Sequence, residues 1–220
     1  MRLFLSGGGT KASDLERRFS GALDHKKTLV YIPVAMNTKR HTYEECYTWF
    51  KNFIAPSYSG EIRMLTNLRE FSGFDLDSIG GLFIGGGNTF KLLKIIRESR
   101  FDKYVNKLLA NNVPLCGGSA GAVIFGRTIK LALGIDPNNV RLRNFSSFNQ
   151  LGGYDLRPHY DLSLDDRIRK AMAKYSVSKA LAVQEDAGVY VDKSGIEVIG
   201  KPLYVFDKTG KIKVEVGNVI

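Results

Sequence analysis

The apolar residues of this chain fall into two alternating patterns over its first two-thirds. Short continuous apolar runs are typical of strands buried on both faces of a sheet, whereas apolar residues three or four positions apart are typical of amphipathic helices. Because the two patterns alternate, we expect a mostly parallel sheet with helices on both faces. The runs that predict strands are RLFLS, TLVYIPVA, EIRMLT, IGGLFI and VPLC, and the segments that predict helices are SDLERRFSGAL, TYEECYTWFKNFI, NTFKLLKIIRES and FDKYVNKLLANN.

The pattern changes after Asp165. One further helical segment, DDRIRKAMAKY, is followed by short apolar runs at close spacing, and the turn sequences DKSG and DKTG separate some of these runs. This spacing predicts β-hairpins in the C-terminal part. No repeat or linker-like segment interrupts the chain, so we predict a single domain over residues 1–220.

Three glycine-rich segments, at residues 7–9, 85–87 and 117–121, follow predicted strands. In open parallel sheets, ligands bind outside the carboxyl ends of the strands. We therefore expect a ligand site at the edge of the sheet where these segments lie.

The composition argues against several classes of protein but does not identify the function. The 220 residues carry a formal net charge of +10, and 44% are hydrophobic, as in a globular protein. Lys and Arg are scattered between acids, which indicates a basic surface and not a nucleic-acid site. The two cysteines, Cys46 and Cys116, have no metal-binding spacing, so we predict no metal and no cofactor. The apolar runs are too short to span a membrane, and we expect a cytoplasmic monomer or homodimer.

The third glycine segment carries the candidate nucleophile. Residues 117–121 match the pattern G-x-S-x-G, with Ser119 between a predicted strand and a predicted helix. A strand–turn–helix elbow exposes the serine hydroxyl, and it requires small neighbours because the chain turns sharply. The alternative is a glycine-rich turn that binds phosphate or only packs tightly.

A serine nucleophile needs a base, and the chain has three histidines. His25 and His41 lie in charged connections, and we expect both to be solvated. His159 follows a short predicted strand and Pro158, which fixes the backbone before the ring. His159 is therefore the candidate base.

The acid that would orient His159 has several candidates. Asp136 lies in a loop before a proline, and its alternative role is that of a turn aspartate. Glu185 ends a predicted strand and is the strongest competitor. Asp155 and Asp161 also compete, although Asp161 is too close to His159 in the chain to orient it easily.

These residues lie in a sequence that resembles the peptidase E and cyanophycinase family of serine peptidases. GGGNTF together with GSAGA is a specific pair, and the matching segments occur in the family's order. They are FIGGGNTFKLL at 83–93, GGSAGA at 117–122, TIK at 128–130, PHY at 158–160 and DRIRK at 166–170.

The resemblance implies a flavodoxin-like fold, similar to class I glutamine amidotransferases but with serine at the elbow. It also implies a serine peptidase that cleaves short peptides as a dipeptidase or exopeptidase, through an acyl-enzyme. The roles that it implies are Ser119 as nucleophile, His159 as base, Asp136 as acid, the N–H groups of Gly87 and Ala120 as oxyanion hole, and Asn88 and Arg167 as substrate contacts.

Two departures from the family pattern affect the predicted specificity and the predicted acid. Leu164 stands where peptidase E has an arginine that reads the substrate's aspartate, so we predict no strict need for an N-terminal aspartate. Gly134 stands at the acid position of peptidase E, and Asp136 is two residues later. The competing function is a non-catalytic glycine-rich α/β module that binds a phosphorylated or other small anionic ligand, although no P-loop lysine follows these glycines.

Overall fold

The computed structural model describes residues 1–9, 13–36, 39–54 and 56–220, and its central sheet has seven strands in the order β3-β2-β4-β5-β1-β8-β9. The five strands from β3 to β1 are parallel to their neighbours, and β8 and β9 add an antiparallel hairpin beyond β1. The strands of this sheet are β1 (Arg2–Ser6), β2 (Thr28–Ile32), β3 (Ile62–Met64), β4 (Ile79–Ile84), β5 (Pro114–Gly118), β8 (Gly188–Val191) and β9 (Ile196–Ile199).

Helices cover this sheet on both faces. The α-helices in the described part of the chain are α1 (Asp14–Gly21), α2 (Tyr43–Ile54), α3 (Thr89–Glu98), α4 (Asp102–Ala110), α5 (Ala120–Val123) and α6 (Asp165–Tyr175). Along β1, Phe4 packs with α1 and α2, whereas Leu3 and Leu5 pack with α3 and α4. This alternation follows from the two-residue period of a strand. It confirms the prediction of a mostly parallel sheet between two helical layers.

A second sheet of four strands was not expected from the sequence. Its order is β11-β10-β7-β6, and its strands are β6 (Asp155–Arg157), β7 (Ala180–Ala182), β10 (Leu203–Asp207) and β11 (Gly210–Val214). The predicted hairpins β8–β9 and β10–β11 both form, but they belong to different sheets. The strand β7 pairs parallel with β6, which lies 25 residues earlier by register, Asp155 opposite Ala180.

Local sequence accounts for where the helices near the site begin. Ser13 caps α1, where its hydroxyl accepts the Leu15 N–H and the Glu16 carboxylate accepts the Ser13 N–H, the reciprocal arrangement of a capping box. Asn88 caps α3, where its side-chain oxygen accepts the Lys91 N–H at 2.8 Å. Among the residues that the structure describes, no helix combines the length and apolar character needed to cross a membrane.

Candidate active site

Ser119 lies in a strained turn between β5 and α5. Its backbone has φ 52° and ψ −113°, a left-handed conformation that a residue with a side chain rarely adopts. Glycine is required around it: a Cβ on Gly117 would lie 2.3 Å from the Gly121 carbonyl oxygen, and a Cβ on Gly121 would lie 2.1 Å from the Ile84 oxygen. The helix that follows has four residues, Ala120–Val123. The small residues of the elbow are thus required by backbone packing.

His159 contacts the serine directly. Its Nε2 lies 2.7 Å from the Ser119 hydroxyl oxygen. The ring follows β6, and the His159 backbone is also left-handed, with φ 51°. The His159 N–H donates to the Gly7 carbonyl at 2.9 Å, and a Cβ on Gly8 would lie 2.3 Å from the ring carbon Cε1. The first glycine segment therefore holds the histidine from the other side.

Glu185 binds the opposite nitrogen of the same ring. The Glu185 Oε1 lies 2.7 Å from the His159 Nδ1. With a proton on Nδ1, the ring donates to the carboxylate and leaves Nε2 free to accept the serine hydroxyl proton. Lys201 donates to the Glu185 carbonyl at 2.9 Å, which fixes the backbone of the acid. Serine, histidine and glutamate thus form one hydrogen-bonded chain.

Asp136, which was predicted to orient His159, contacts the start of α3 instead, and Glu185 lies at the His159 Nδ1. The Asp136 Oδ2 accepts the Thr89 N–H at 2.8 Å, at the first turn of α3, where unpaired N–H groups favour a carboxylate. Asn88 donates to the Pro137 carbonyl at 2.9 Å. The loop that carries Asp136 is therefore tied to the glycine turn before α3, and Asp136 lines a cavity beside Ser119 without contacting the histidine.

The glycine turn before α3 places Gly87 next to the serine. Gly87 has φ +126°, and a Cβ on it would lie 2.3 Å from the Ala35 carbonyl oxygen, so only glycine fits. On either side of it, the Gly85 and Asn88 N–H groups donate to the Ile32 and Ala35 carbonyls. Gly87 and Ala120, the predicted oxyanion residues, both line the cavity that Ser119 and His159 border.

Two predicted substrate contacts, Asn88 and Arg167, bind other parts of the protein in the structure. Within the described part of the chain, neither Asn88 nor Arg167 lines either cavity at Ser119. Asn88 uses both ends of its amide for the α3 cap and Pro137, and Arg167 donates to the Gly134 carbonyl at 3.0 Å. Leu164, which stands where the family pattern has an arginine, immediately precedes α6.

Arg157 was missed by the sequence analysis. It ends β6, two residues before His159, and it lines the cavity beside Ser119. Burial is the main cause that lowers the pKa of its guanidinium, and Arg167 lowers it further, while Asp136 and Asp161 raise it. The sequence signal that could have identified Arg157 is its position at the carboxyl end of the short strand just before His159.

Two cavities meet at Ser119 and His159. The smaller, of about 140 Å³, contains Asp136 and Arg157. The larger, of about 640 Å³, lies on the α2 side and is mainly apolar. Among the residues that the structure describes, no cluster of His, Cys, Asp or Glu could hold a metal ion.

The fold and these contacts first define a class of protein. A serine, a histidine and a carboxylate are joined by hydrogen bonds where strands of the two sheets end, which is the arrangement of a serine hydrolase. The comparison with known families then identifies the group. The profile of peptidase family S51 matches residues 3–199, and the chain belongs to this family.

Individual relatives agree with this assignment. The chain is 25% identical over 195 residues to a peptidase E of Haemophilus influenzae (strain PittGG), a match that covers 83% of this chain and 79% of the relative. It is 25% identical over 138 residues to a peptidase E of Shewanella denitrificans, which covers 57% of each protein. The chain thus spans little more than half the length of that relative.

Solved structures confirm the predicted flavodoxin-like fold. A candidate peptidase E protein from Listeria monocytogenes EGD-e superimposes with a TM-score of 0.69 at 19% identity, over 90% of this chain and 96% of that chain. A peptidase from an acI-B1 actinobacterium gives a TM-score of 0.73 at 15% identity, over 100% of this chain and 96% of that chain.

Proposed function

We propose that this protein is a serine peptidase that hydrolyses short peptides through Ser119, His159 and Glu185. The observation that supports it most strongly is the continuous contact from the Ser119 hydroxyl through both nitrogens of His159 to Glu185, at 2.7 Å in each step. A nucleophile, a base and an orienting acid in this order are the recurring parts of acyl-transfer catalysis.

The proposal assigns each step of the reaction to one of these groups. His159 Nε2 accepts the Ser119 proton as the serine oxygen attacks the scissile carbonyl carbon. The tetrahedral intermediate collapses when the C–N bond breaks and the imidazolium donates that proton to the leaving amine. Water, deprotonated by the same ring, then attacks the acyl carbon; the C–O bond to Ser119 breaks as the imidazolium returns its proton to the serine oxygen, which releases the carboxylic acid and free Ser119. Glu185 holds the Nδ1–H and stabilises the imidazolium in both halves.

The negative charge that develops on the carbonyl oxygen needs donors. The backbone N–H groups of Gly87 and Ala120 fill this role in our proposal, because both residues line the small cavity together with Ser119. Asp136 has a positioning role: by binding the Thr89 N–H it fixes the start of α3, and thus the glycine turn that carries Gly87.

The size of the small cavity indicates short substrates. About 140 Å³ is well below the roughly 300 to 1,000 Å³ of typical small-molecule pockets, so this side of the scissile bond has room for little more than one small residue. We therefore infer a dipeptidase or exopeptidase, for which the first residue of the substrate fills this cavity.

A serine-directed phosphonate probe and a dipeptide library test the proposal together. We expect covalent labelling of Ser119, located by peptide mapping, and hydrolysis of at least some dipeptides. Labelling must vanish in Ser119→Ala and persist in Ser163→Ala, a control serine in the turn before α6. A protein that is folded, unlabelled and inactive on the whole library would instead support the non-catalytic binding module.

A further inference from the structure

We propose that the larger cavity is a specificity pocket for a large apolar or aromatic side chain on the leaving-group side of the scissile bond. This inference rests on the proposed function, since it assigns a place to the second substrate residue. The cavity shares Gly87, Ser119 and His159 with the reacting centre and extends toward α2. Its volume of about 640 Å³ falls in the range of small-molecule sites.

Aromatic side chains form much of its wall. Tyr31 and Phe83 belong to the central sheet, whereas Trp49 and Phe53 are one turn apart on α2. Trp49 stacks on Phe53 with ring centroids 4.8 Å apart, yet 41% of it remains exposed. A tryptophan that is half covered by its own helix neighbour and open toward a cavity offers apolar area to a bound side chain.

The charge of the cavity supports a neutral occupant. Among the residues that the structure describes, no lysine or arginine lines this cavity. The charged groups present are the carboxylates Glu16 and Glu45, with His41 beside them. A side-chain carboxylate buried among the aromatic residues of this cavity would lose its hydration and face other carboxylates, which is unfavourable, whereas the α-carboxylate of the leaving residue is common to every dipeptide compared. We therefore expect acidic side chains to be rejected on this side of the bond.

The assignment to the leaving-group side comes from the oxyanion residues. Gly87 and Ala120 both line the small cavity, but only Gly87 lines the large one. These donors direct the carbonyl oxygen into the small cavity, and we assign the acyl residue to the same cavity because the leaving amine must lie on the side of the histidine that protonates it. Gly8 and Gly9 line the large cavity, and Gly8 is packed against the His159 ring. The amine that His159 protonates therefore departs toward the large cavity.

The test measures kcat/KM for two dipeptide series, Ala-X and X-Ala, with X as Gly, Ala, Leu, Phe, Trp and Asp. Burying one aromatic side chain predicts that Ala-Phe and Ala-Trp exceed Ala-Ala by about 10- to 100-fold. Ala-Asp should be cleaved more slowly than Ala-Ala. In the reversed series, the aromatic residues should give no such gain, because the small cavity does not hold them.

Variants connect the preference to the cavity wall. Trp49→Ala should reduce the ratio of Ala-Phe to Ala-Ala in kcat/KM by about tenfold through a fall in the Ala-Phe value, while Trp49→Phe should keep most of the ratio. Ile212→Ala is the matched control, since it removes an exposed apolar side chain on β11; it should change neither value.

The outcomes separate the two proposals. Equal rates for Ala-Phe and Ala-Ala, or an aromatic gain in the X-Ala series, would overturn the pocket assignment and leave the peptidase standing. An unchanged ratio in Trp49→Ala would also overturn it. If no dipeptide is cleaved and Ser119 resists the phosphonate probe, the peptidase proposal itself fails, and the pocket assignment fails with it.

Discussion

The two sheets contribute different halves of the site, and they do so in different ways. The seven-stranded sheet presents Ser119 and Gly87 at the carboxyl ends of β5 and β4. The four-stranded sheet presents His159 and Glu185 beyond the ends of β6 and β7. The nucleophile of the serine half lies in one short segment, Gly117–Gly121, although Gly121 packs closely against Ile84 of the neighbouring strand. The histidine half instead combines His159 and Glu185 from two segments that are far apart in the chain.

Backbone hydrogen bonds hold the two halves against each other. The Gly7 N–H donates to the Ala187 carbonyl at 2.8 Å, and the Asp186 N–H donates to the Gly8 carbonyl at 2.9 Å. The His159 N–H completes the set by donating to Gly7. The glycine segment after β1 is therefore the connection through which a seven-stranded sheet positions a base that belongs to another sheet.

Removing the nucleophile should have the largest effect on the serine half. Ser119→Ala keeps a Cβ at the strained position, so the elbow should fold as before. We expect kcat on the best dipeptide to fall by about 10⁴-fold or more. Steady-state kinetics and a thermal unfolding curve measure the two properties. Activity close to that of the unaltered protein would exclude Ser119 as the nucleophile.

In the histidine half, Glu185→Gln should have the next largest effect. The glutamine amide can donate a hydrogen bond to Nδ1, which favours the imidazole tautomer with its proton on Nε2. Because Nε2 in this tautomer cannot accept the serine proton, we expect kcat to fall by about 10²- to 10⁴-fold. KM should change little, because Glu185 binds the histidine and not the substrate. If Glu185→Gln retains full activity, the proposed role of Glu185 as the orienting acid is excluded.

The difference between the two halves also explains what the sequence could predict. The elbow around Ser119 was predictable because Gly117 and Gly121 lie next to the serine they make room for. The acid was not, because Glu185 reaches His159 only through the parallel pairing of β6 with β7. The sequence indicated hairpins in this region, and Glu185 was predicted only as the alternative to Asp136 for the acid that orients His159. The second sheet, which was not expected, supplies the missing contact.

Asp136→Asn should have a much smaller effect than Glu185→Gln. Asparagine retains a side-chain oxygen that can accept the Thr89 N–H, so the tie to α3 survives. We expect less than a tenfold loss in kcat/KM, with Asp136→Ala more impaired than Asp136→Asn because it removes the acceptor. Measuring kcat/KM of Asp136→Asn, Asp136→Ala and Glu185→Gln on one substrate tests which carboxylate orients His159. A crippled Asp136→Asn beside a healthy Glu185→Gln would restore the original assignment of the acid.

The smallest expected effect concerns Arg157, which ends a strand of the second sheet but faces the cavity beside Ser119. Its guanidinium could pair with a substrate carboxylate. It already interacts with the Asp136 carboxylate, which raises the pKa of Arg157 while burial lowers it. A substrate carboxylate must therefore compete with a charge already present. Together with Leu164 at the position of the family's arginine, this predicts that Asp-Leu exceeds Ala-Leu in kcat/KM by less than about 10³-fold, which corresponds to about 4 kcal/mol.

Arg157→Leu should lower the ratio of Asp-Leu to Ala-Leu by about tenfold or less, and Arg157→Lys should preserve part of it, since a lysine keeps the charge but loses the planar donor pair. Ala-Leu cleavage in each variant serves as the internal control for damage to the site. A ratio that Arg157→Leu leaves unchanged would show that the arginine does not contact the substrate. A preference for Asp-Leu above 10³-fold would instead require a dedicated carboxylate site, because one half-compensated guanidinium in an open cavity is too weak to provide it.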